Sequence, residues 1–236
     1  MIGVISDIHG NYPALVSVFA ELDRLGCDQV YSLGDVAGYH CMINECIDLL
    51  RERSIVHIMG NHDYYLVGNL PCPRSESATA CLQYQRKTVS ENNLDWLRQS
   101  RTSFCRDQVS MVHGGWIDPI DEYLYEIDEH YFESLPGTVF LSGHTHVQTL
   151  SRFSEKVYCN PGSVGQPRDG NRRAAFALVR GGCISLMRIE YDIDAIASEM
   201  RKHGFDQRFY GNLYHGTKIG GGISTVRENK PELALY

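Results

Sequence analysis

Ile2-Gly3-Val4-Ile5-Ser6-Asp7-Ile8-His9-Gly10-Asn11 opens the chain: a short β-branched run that breaks into a polar turn. The run reads as a buried strand. Residues 13–25 follow as a helix, with Pro13 near the first turn and Gly26 just past the end. Leu15, Val18, Phe19, Leu22 and Leu25 recur at helical spacing and give it one apolar face. Residues 29–33 read as a second strand, 43–53 as a second helix and 55–59 as a third strand. This βαβαβ succession predicts a parallel sheet with right-handed crossovers.

Working outward, residues 64–101 interrupt the alternation. A Pro71-Cys72-Pro73 turn precedes helices expected over 75–90 and 91–98, a helical excursion beside the strand ends that reads as a cap. Strands resume at 108–112 and 138–141, with a short helix around 129–135. Runs at 149–153, 157–159, 174–178 and 184–189 are so closely spaced that they predict antiparallel pairing and a second sheet. A last helix covers 194–202. The tail over about 210–236 carries Gly216, Gly220, Gly221 and Gly222 and is expected to be loosely ordered or a partner-contact arm. The whole is read as one domain over 1–236.

Composition narrows the function classes. The 236 residues are 43% hydrophobic and 22% charged, the balance of an ordinary globular chain with a core of its own. A net charge of -7 disfavours long nucleic acid as a partner, yet not a small phosphorylated substrate, because divalent cations would reverse the local field. No membrane-length apolar run and no signal-like N-terminus appear, so a cytoplasmic protein is expected, with room for a homo-oligomer. The eight cysteines form no Cys-x-x-Cys pair and read as reduced, mostly buried thiols, Cys46 and Cys183 among them.

Five short motifs follow apolar runs: Asp7-Ile8-His9, Gly34-Asp35, Gly60-Asn61-His62-Asp63, Val112-His113-Gly114 and Gly143-His144-Thr145-His146. Loops at neighbouring strand ends converge, so these dispersed groups can meet. Asp7, His9, Asp35, Asn61, His113, His144 and His146 make a ligand set for two divalent ions, which sit about 3.5–4 Å apart in such centres and need a bridging anion. Asp35 is the candidate bridge. Imidazole mixed with carboxylate suits Mn, Fe, Zn, Co or Ni, with Mn favoured, over Mg or Ca.

In this order the motifs resemble the calcineurin-like metallophosphoesterase superfamily, from Ile2 to about Arg168. Gly34-Asp35-Val36-Ala37-Gly38-Tyr39 and the stretch from Asn160 to Arg168 are similar to its small bacterial and archaeal phosphodiesterase branch. The resemblance implies a four-layer αββα sandwich of two mixed sheets flanked by helices. It implies one ion on Asp7, His9, Asp35 and His146, and another on Asp35, Asn61, His113 and His144. It also implies a metal-bridging hydroxide as nucleophile, and His62 as the residue that stabilises charge or protonates the leaving alkoxide. Asn11, Arg168 and His40 are the candidate substrate contacts. The related Ser/Thr protein phosphatases carry a second Asp where this chain has Gly38, which leaves the partner of His62 open and disfavours that activity.

The leading reading is a metal-dependent phosphodiesterase acting on a small or nucleotide-derived phosphate ester. The alternatives are a dinucleoside polyphosphate hydrolase or phosphomonoesterase, a nuclease, and a protein-interaction scaffold on the same fold. The intact ligand set and His62 weigh against the scaffold.

Overall fold

Two five-stranded mixed sheets and seven α-helices make up the computed structural model, which describes residues 1–229. In chain order the elements are β1 (Ile2–Ile5), α1 (Tyr12–Arg24), β2 (Gln29–Ser32), α2 (Ile43–Glu52), β3 (Val56–His57), α3 (Asn61–Val67), α4 (Glu76–Thr88) and α5 (Glu91–Arg98). There follow β4 (Ser103–Arg106), β5 (Val109–Val112), β6 (Glu126–Asp128), α6 (Glu129–Glu133), β7 (Val139–Leu141), β8 (Thr149–Arg152) and β9 (Val157–Asn160). Finally come β10 (Ala174–Arg180), β11 (Cys183–Ile189), α7 (Ile193–Lys202), two 3₁₀ turns and β12 (Arg227–Asn229).

The first sheet has the order β11-β10-β1-β2-β3, the second β4-β5-β7-β9-β8. In each, three parallel strands are extended by antiparallel neighbours. The late hairpin β10–β11 therefore joins the first sheet, not the second as its sequence position suggested. Antiparallel register of β10 on β1 puts Leu178 opposite Gly3 and Ala177 opposite Val4.

Alternation along the strands builds the layers. Val4, Tyr31, Met111, Leu141, Cys159 and Ala177 form the core between the sheets. Their neighbours Ile5, Phe176 and Leu178 point the other way, into the core under the helices with Leu15, Val18, Phe19, Ile47 and Ile196. On the far face Phe140 and Tyr158 pack with Phe132, Ile127 and Trp116. Helix, sheet, sheet, helix is the resulting sandwich.

The excursion after β3 starts sooner than expected, because the motif Asn61-His62-Asp63 is itself the first turn of α3. Leu66, Cys81, Leu82 and Leu97 of α3–α5 are buried in the helix-side core, while the first turn of α3 and the turn around Cys72–Ser75 reach the cleft described below. The tail departs further from expectation. Asn212 and Leu213 are buried, Gly170 N donates to Gly216 O at 2.9 Å, and β12 pairs in parallel with β6. The glycines permit turns that hold the segment down; the tail expected as far as 236 runs, over 230–236, outside the described residues. All eight cysteines are unpaired; Cys46 is buried as expected, but Cys183 is exposed at the β10–β11 turn.

Candidate metal centre and substrate cleft

The parallel strands of both sheets point their carboxyl ends to one place, where turns carry the chemistry. The turns after β1 and β2 are zipped by backbone bonds: Asp7 N to Gly34 O, His9 N to Asp35 O and Gly10 N to Val36 O, at 2.8–3.0 Å. Asp7, His9, Asp35, His144 and His146 all hold positive φ, between 51° and 68°. Each non-glycine residue there costs about 1–2 kcal/mol. Such strain persists where the surroundings over-determine it, and it clusters at functional sites. Close approach also decides residue type at Gly60: a Cβ there would lie 2.1 Å from Asp35 Oδ1.

All seven candidate ligands are at most 2% exposed, and they fall into two nests. Asp7, His9 and His146 offer ligand atoms to one point; Asp35, His113 and His144 offer theirs to another. Asn61 joins the second, its Oδ1 3.2 Å from His113 Nε2. The imidazoles are aimed by their far nitrogens. Nδ1 of His9, His146 and His113 donates to the carbonyls of Ala37, Gln166 and Leu33 at 2.7, 2.6 and 2.8 Å. Their Nε2 atoms then face inward, with free lone pairs on His9 and His146. His9 Nε2 and His146 Nε2 lie 3.0 Å apart, two lone pairs confronting each other. His144 is turned the other way, with Nδ1 3.2 Å from His113 Nε2.

This arrangement fits cations. Asp7 Oδ1 and Asp35 Oδ2 are buried with no hydrogen-bond partner among the described residues, although Asp7 Oδ2 accepts from His144 N and Asp35 Oδ1 from His62 N. One oxygen of each carboxylate is thus fixed by backbone and the other left to a ligand. Burial pushes the Asp7 carboxyl up to about 7, with Asp35 adding and His113 opposing. Burial holds His9, His144 and His146 well below the ordinary histidine value. Burial alone would do the same to His113, but the Asp35 carboxylate and then Asp7 lift it to about 9. The uncharged imidazoles offer lone pairs to a divalent ion directly, and the protons such an ion would displace are those on the Asp7 carboxyl and the His113 imidazolium.

Beside the nests lies a cleft of about 240 Å³, lined by Tyr39, His62, Tyr123, Gln166 and Arg168 among others. His62 is 5% exposed; burial depresses its basicity, Asp35 partly opposing. Its Nδ1 has no protein partner among the described residues, and a Cβ on Gly38 would sit 2.6 Å from that atom. Among the described residues no carboxylate hydrogen-bonds the His62 ring, which lies against Gly38.

The three expected substrate contacts divide. Arg168 lines the cleft, 9% exposed, its guanidinium 5.2 Å above the Tyr39 ring and Nη2 donating to Gln166 Oε1 at 3.0 Å. Asn11 instead caps α1, accepting from Ala14 N, and donates to Gly165 O at 2.8 Å. His40 is fully buried behind the first ligand turn, its Nδ1 2.9 Å from His9 O, and does not line the cleft. Both are structural braces. The stretch from Asn160 to Arg168 does two jobs. Ser163 Oγ donates to Asp7 O and Asn160 Nδ2 to Thr145 Oγ1, while Gln166 and Arg168 reach the cleft.

A family model described as the calcineurin-like phosphoesterase superfamily domain matches residues 1–181. The chain belongs to the calcineurin-like phosphoesterase superfamily. It is a metallophosphoesterase, a hydrolase of phosphate esters. Uncharacterized protein MJ0912 of Methanocaldococcus jannaschii is 30% identical, over 92% of this chain and 98% of that protein. A metallophosphoesterase from Sphaerobacter thermophilus superposes with a TM-score of 0.82 at 28% identity, covering 92% of this chain and 98% of that one. Hypothetical protein PH1004 of Pyrococcus horikoshii shares the fold, with a TM-score of 0.77 at 22% identity over 92% of this chain and 100% of its own.

Motif reading missed the groups that brace this phosphoesterase centre. Asp63 Oδ2 accepts from Asp35 N, Gly60 N and His57 Nε2, and Oδ1 from Ala37 N, all at 2.8–3.1 Å. His57, within the strand expected over 55–59, also meets Ser32 Oγ at 2.9 Å and stacks on Trp96. Gln85 of α4 bonds Gly38 N and His40 O from outside. Tyr123 stacks on His144 with ring centroids 3.7 Å apart, and Asp121 Oδ1 lies 3.6 Å from His144 Nε2. Position three in the Asn-His-Asp turn could have flagged Asp63 as a capping carboxylate; residues 121 and 123 sit in no motif.

Proposed function

We propose that this phosphoesterase is a phosphodiesterase of small, nucleotide-derived esters, working through two divalent ions, with residues 1–236 as one catalytic domain. Asp7, His9, Asp35 and His146 would hold one ion and Asp35, Asn61, His113 and His144 the other, with Mn favoured. Bound there, the ions supply a hydroxide nucleophile at neutral pH and neutralise charge on the phosphoryl oxygens. The observation that carries the substrate reading is Arg168: a buried guanidinium with no carboxylate within ion-pair distance among the described residues, opening on the cleft. Buried charge without a partner is costly, and a phosphate would complete it bidentately.

His62 enters the same cleft with its imidazole weakly basic and uncharged at neutral pH. It stands where it can hydrogen-bond a phosphoryl oxygen or, once it takes a proton beside the anionic substrate, pass that proton to the leaving oxygen and return to the uncharged form. Tyr39, Tyr123 and Tyr125 form an aromatic wall suited to the organic substituents of a diester. A cleft of about 240 Å³ takes a small ester more readily than a duplex. Eight unpaired thiols fit a reducing compartment, hence the cytoplasm.

Turnover of bis-p-nitrophenyl phosphate against p-nitrophenyl phosphate, with Mn added to chelator-stripped protein, tests the reading. A higher kcat/KM on the diester supports it; preference for the monoester replaces it with a phosphomonoesterase.

A further inference from the structure

The cleft is lined by more cations than one phosphate needs, one of them already paired. Arg74, Arg168 and Lys218 line it, and among the described residues no carboxylate does, in a chain of net charge -7. Arg168 faces the nests and counts Asp7 among the charges acting on it. Arg74 comes from the turn before α4. Its Nη1 is tied to Asp121, and the guanidinium packs 5.3 Å from the Tyr123 ring centre, so its direction is set while further N–H groups stay available. Lys218 comes from the C-terminal segment, beyond the residues that the family model matches.

That segment is built to present Lys218. Lys218 N donates to Gly222 O at 2.7 Å and Gly221 N to Lys218 O at 2.9 Å, closing a tight loop through Gly220 and Gly221, both at φ 95°. The loop is pinned on both sides: Gly216 O accepts from Gly170 N, and Ser224 N donates to Arg168 O at 2.7 Å. The second pin is on the same residue that faces the metal nests. Lys218 itself makes no ion pair among the described residues.

We propose that Lys218 and Arg74 form a second anion subsite, so that the preferred substrate is a phosphate ester carrying a further phosphate beside the scissile one, with Lys218 as a specificity-determining residue. The proposal rests on the phosphodiesterase reading of the same cleft and deepens it. Tyr123 and Tyr125, stacked with ring centroids 5.3 Å apart and planes 4° from parallel, extend the wall and favour a nucleoside as the organic part.

Calorimetric titration of Mn-loaded full-length protein with a nucleoside 5′-monophosphate and the matching 5′-diphosphate tests this without requiring turnover. The wild type binds the diphosphate more tightly. Lys218→Ala narrows the ratio of the two affinities about fivefold, the upper end for an exposed ion pair. Lys218→Arg restores it, and Lys202→Ala, on α7, leaves it as it was. Chelation of Mn by the nucleotides is common to all variants and cancels. A ratio near one in the wild type, or a ratio unmoved in Lys218→Ala, overturns the subsite. Protein that shows the ratio but hydrolyses neither nitrophenyl ester keeps the subsite and loses the phosphodiesterase reading; the reverse result loses only the subsite.

Discussion

Replacing Asp63 by Ala should unlatch the candidate metal centre while leaving every candidate ligand side chain in place. The carboxylate ties the turn after β2 to the start of α3 through Asp35 N, Ala37 N and Gly60 N, and anchors the His57 imidazole as well. Its loss strands three buried N–H groups and one ring nitrogen, each worth about 1–3 kcal/mol. Water entering the vacated space offsets part of that, leaving about 3–5 kcal/mol, the usual cost of breaking a buried pair. For a chain of this length that is about 6–20 °C in Tm. Asp63→Asn keeps the shape. Its carbonyl can serve the three donors at the Oδ2 position while its NH2 opposes Ala37 N–H, one conflict in place of four losses, about 1–3 kcal/mol. Thermal unfolding of chelator-stripped protein, followed by circular dichroism, reads both. Mn affinity from competition with a chelating dye should fall about 10–100-fold in Asp63→Ala. An Ala variant that melts within about 2 °C of wild type and binds Mn normally refutes the latch, since the smallest loss assigned above already exceeds that shift. The pH signature follows from sign. Burial alone would raise the Asp63 pKa, but the His57 and backbone bonds bring it below the ordinary value of 3.8. Its contribution is therefore present above about pH 4 and is lost as pH falls through the folded value.

Gly60→Ala should cost metal before it costs fold: the new Cβ, 2.1 Å from Asp35 Oδ1, must push the Asp35 carboxylate aside, so Mn stoichiometry by elemental analysis drops below wild type. His62→Ala should lower kcat about 10²–10⁴-fold while Mn stoichiometry holds; equal kcat would remove His62 from the chemistry. Chelator-stripped protein should gain stability as pH rises toward about 6.5, because the lowered pKa values of buried His9, His144 and His146 outweigh the raised one of Asp7, and should then lose it up to about 9, because Asp7, raised to about 7, and His113, raised to about 9, hold protons that the unfolded chain has released. Bound Mn should abolish that fall, with affinity climbing over the same range as protons are displaced; melting curves at fixed pH with and without Mn decide it.

The layers were legible because strand alternation and helix periodicity are local. Ile2–Ile5 and the apolar face of α1 declare themselves in sequence. The placing of β10 beside β1 was not legible, since a non-local pairing leaves no mark in the strand's own residues. The candidate ligand residues stood out because their chemistry recurs in short motifs at strand ends, and five of them hold positive φ in the structure. Asn11 and His40 drew a substrate role for the same reason: polar residues next to the candidate ligand turn look like substrate contacts, yet Asn11 bonds Ala14 N and Gly165 O, and His40 is buried behind the turn with Nδ1 on His9 O. Glycines in the tail suggested looseness, but positive φ at Gly216, Gly220 and Gly221 is what lets the segment fold back onto residue 170 and Arg168. Arg74, Tyr123 and Lys218 meet only in three dimensions, and no spacing announces them.

An anomalous-difference map from crystals soaked in Mn tests the central claim most directly. The account predicts two peaks about 3.5–4 Å apart, one among Asp7, His9 and His146, the other among Asp35, His113 and His144. A single peak elsewhere on the surface, with these side chains bonded to one another and no density between them, would contradict it.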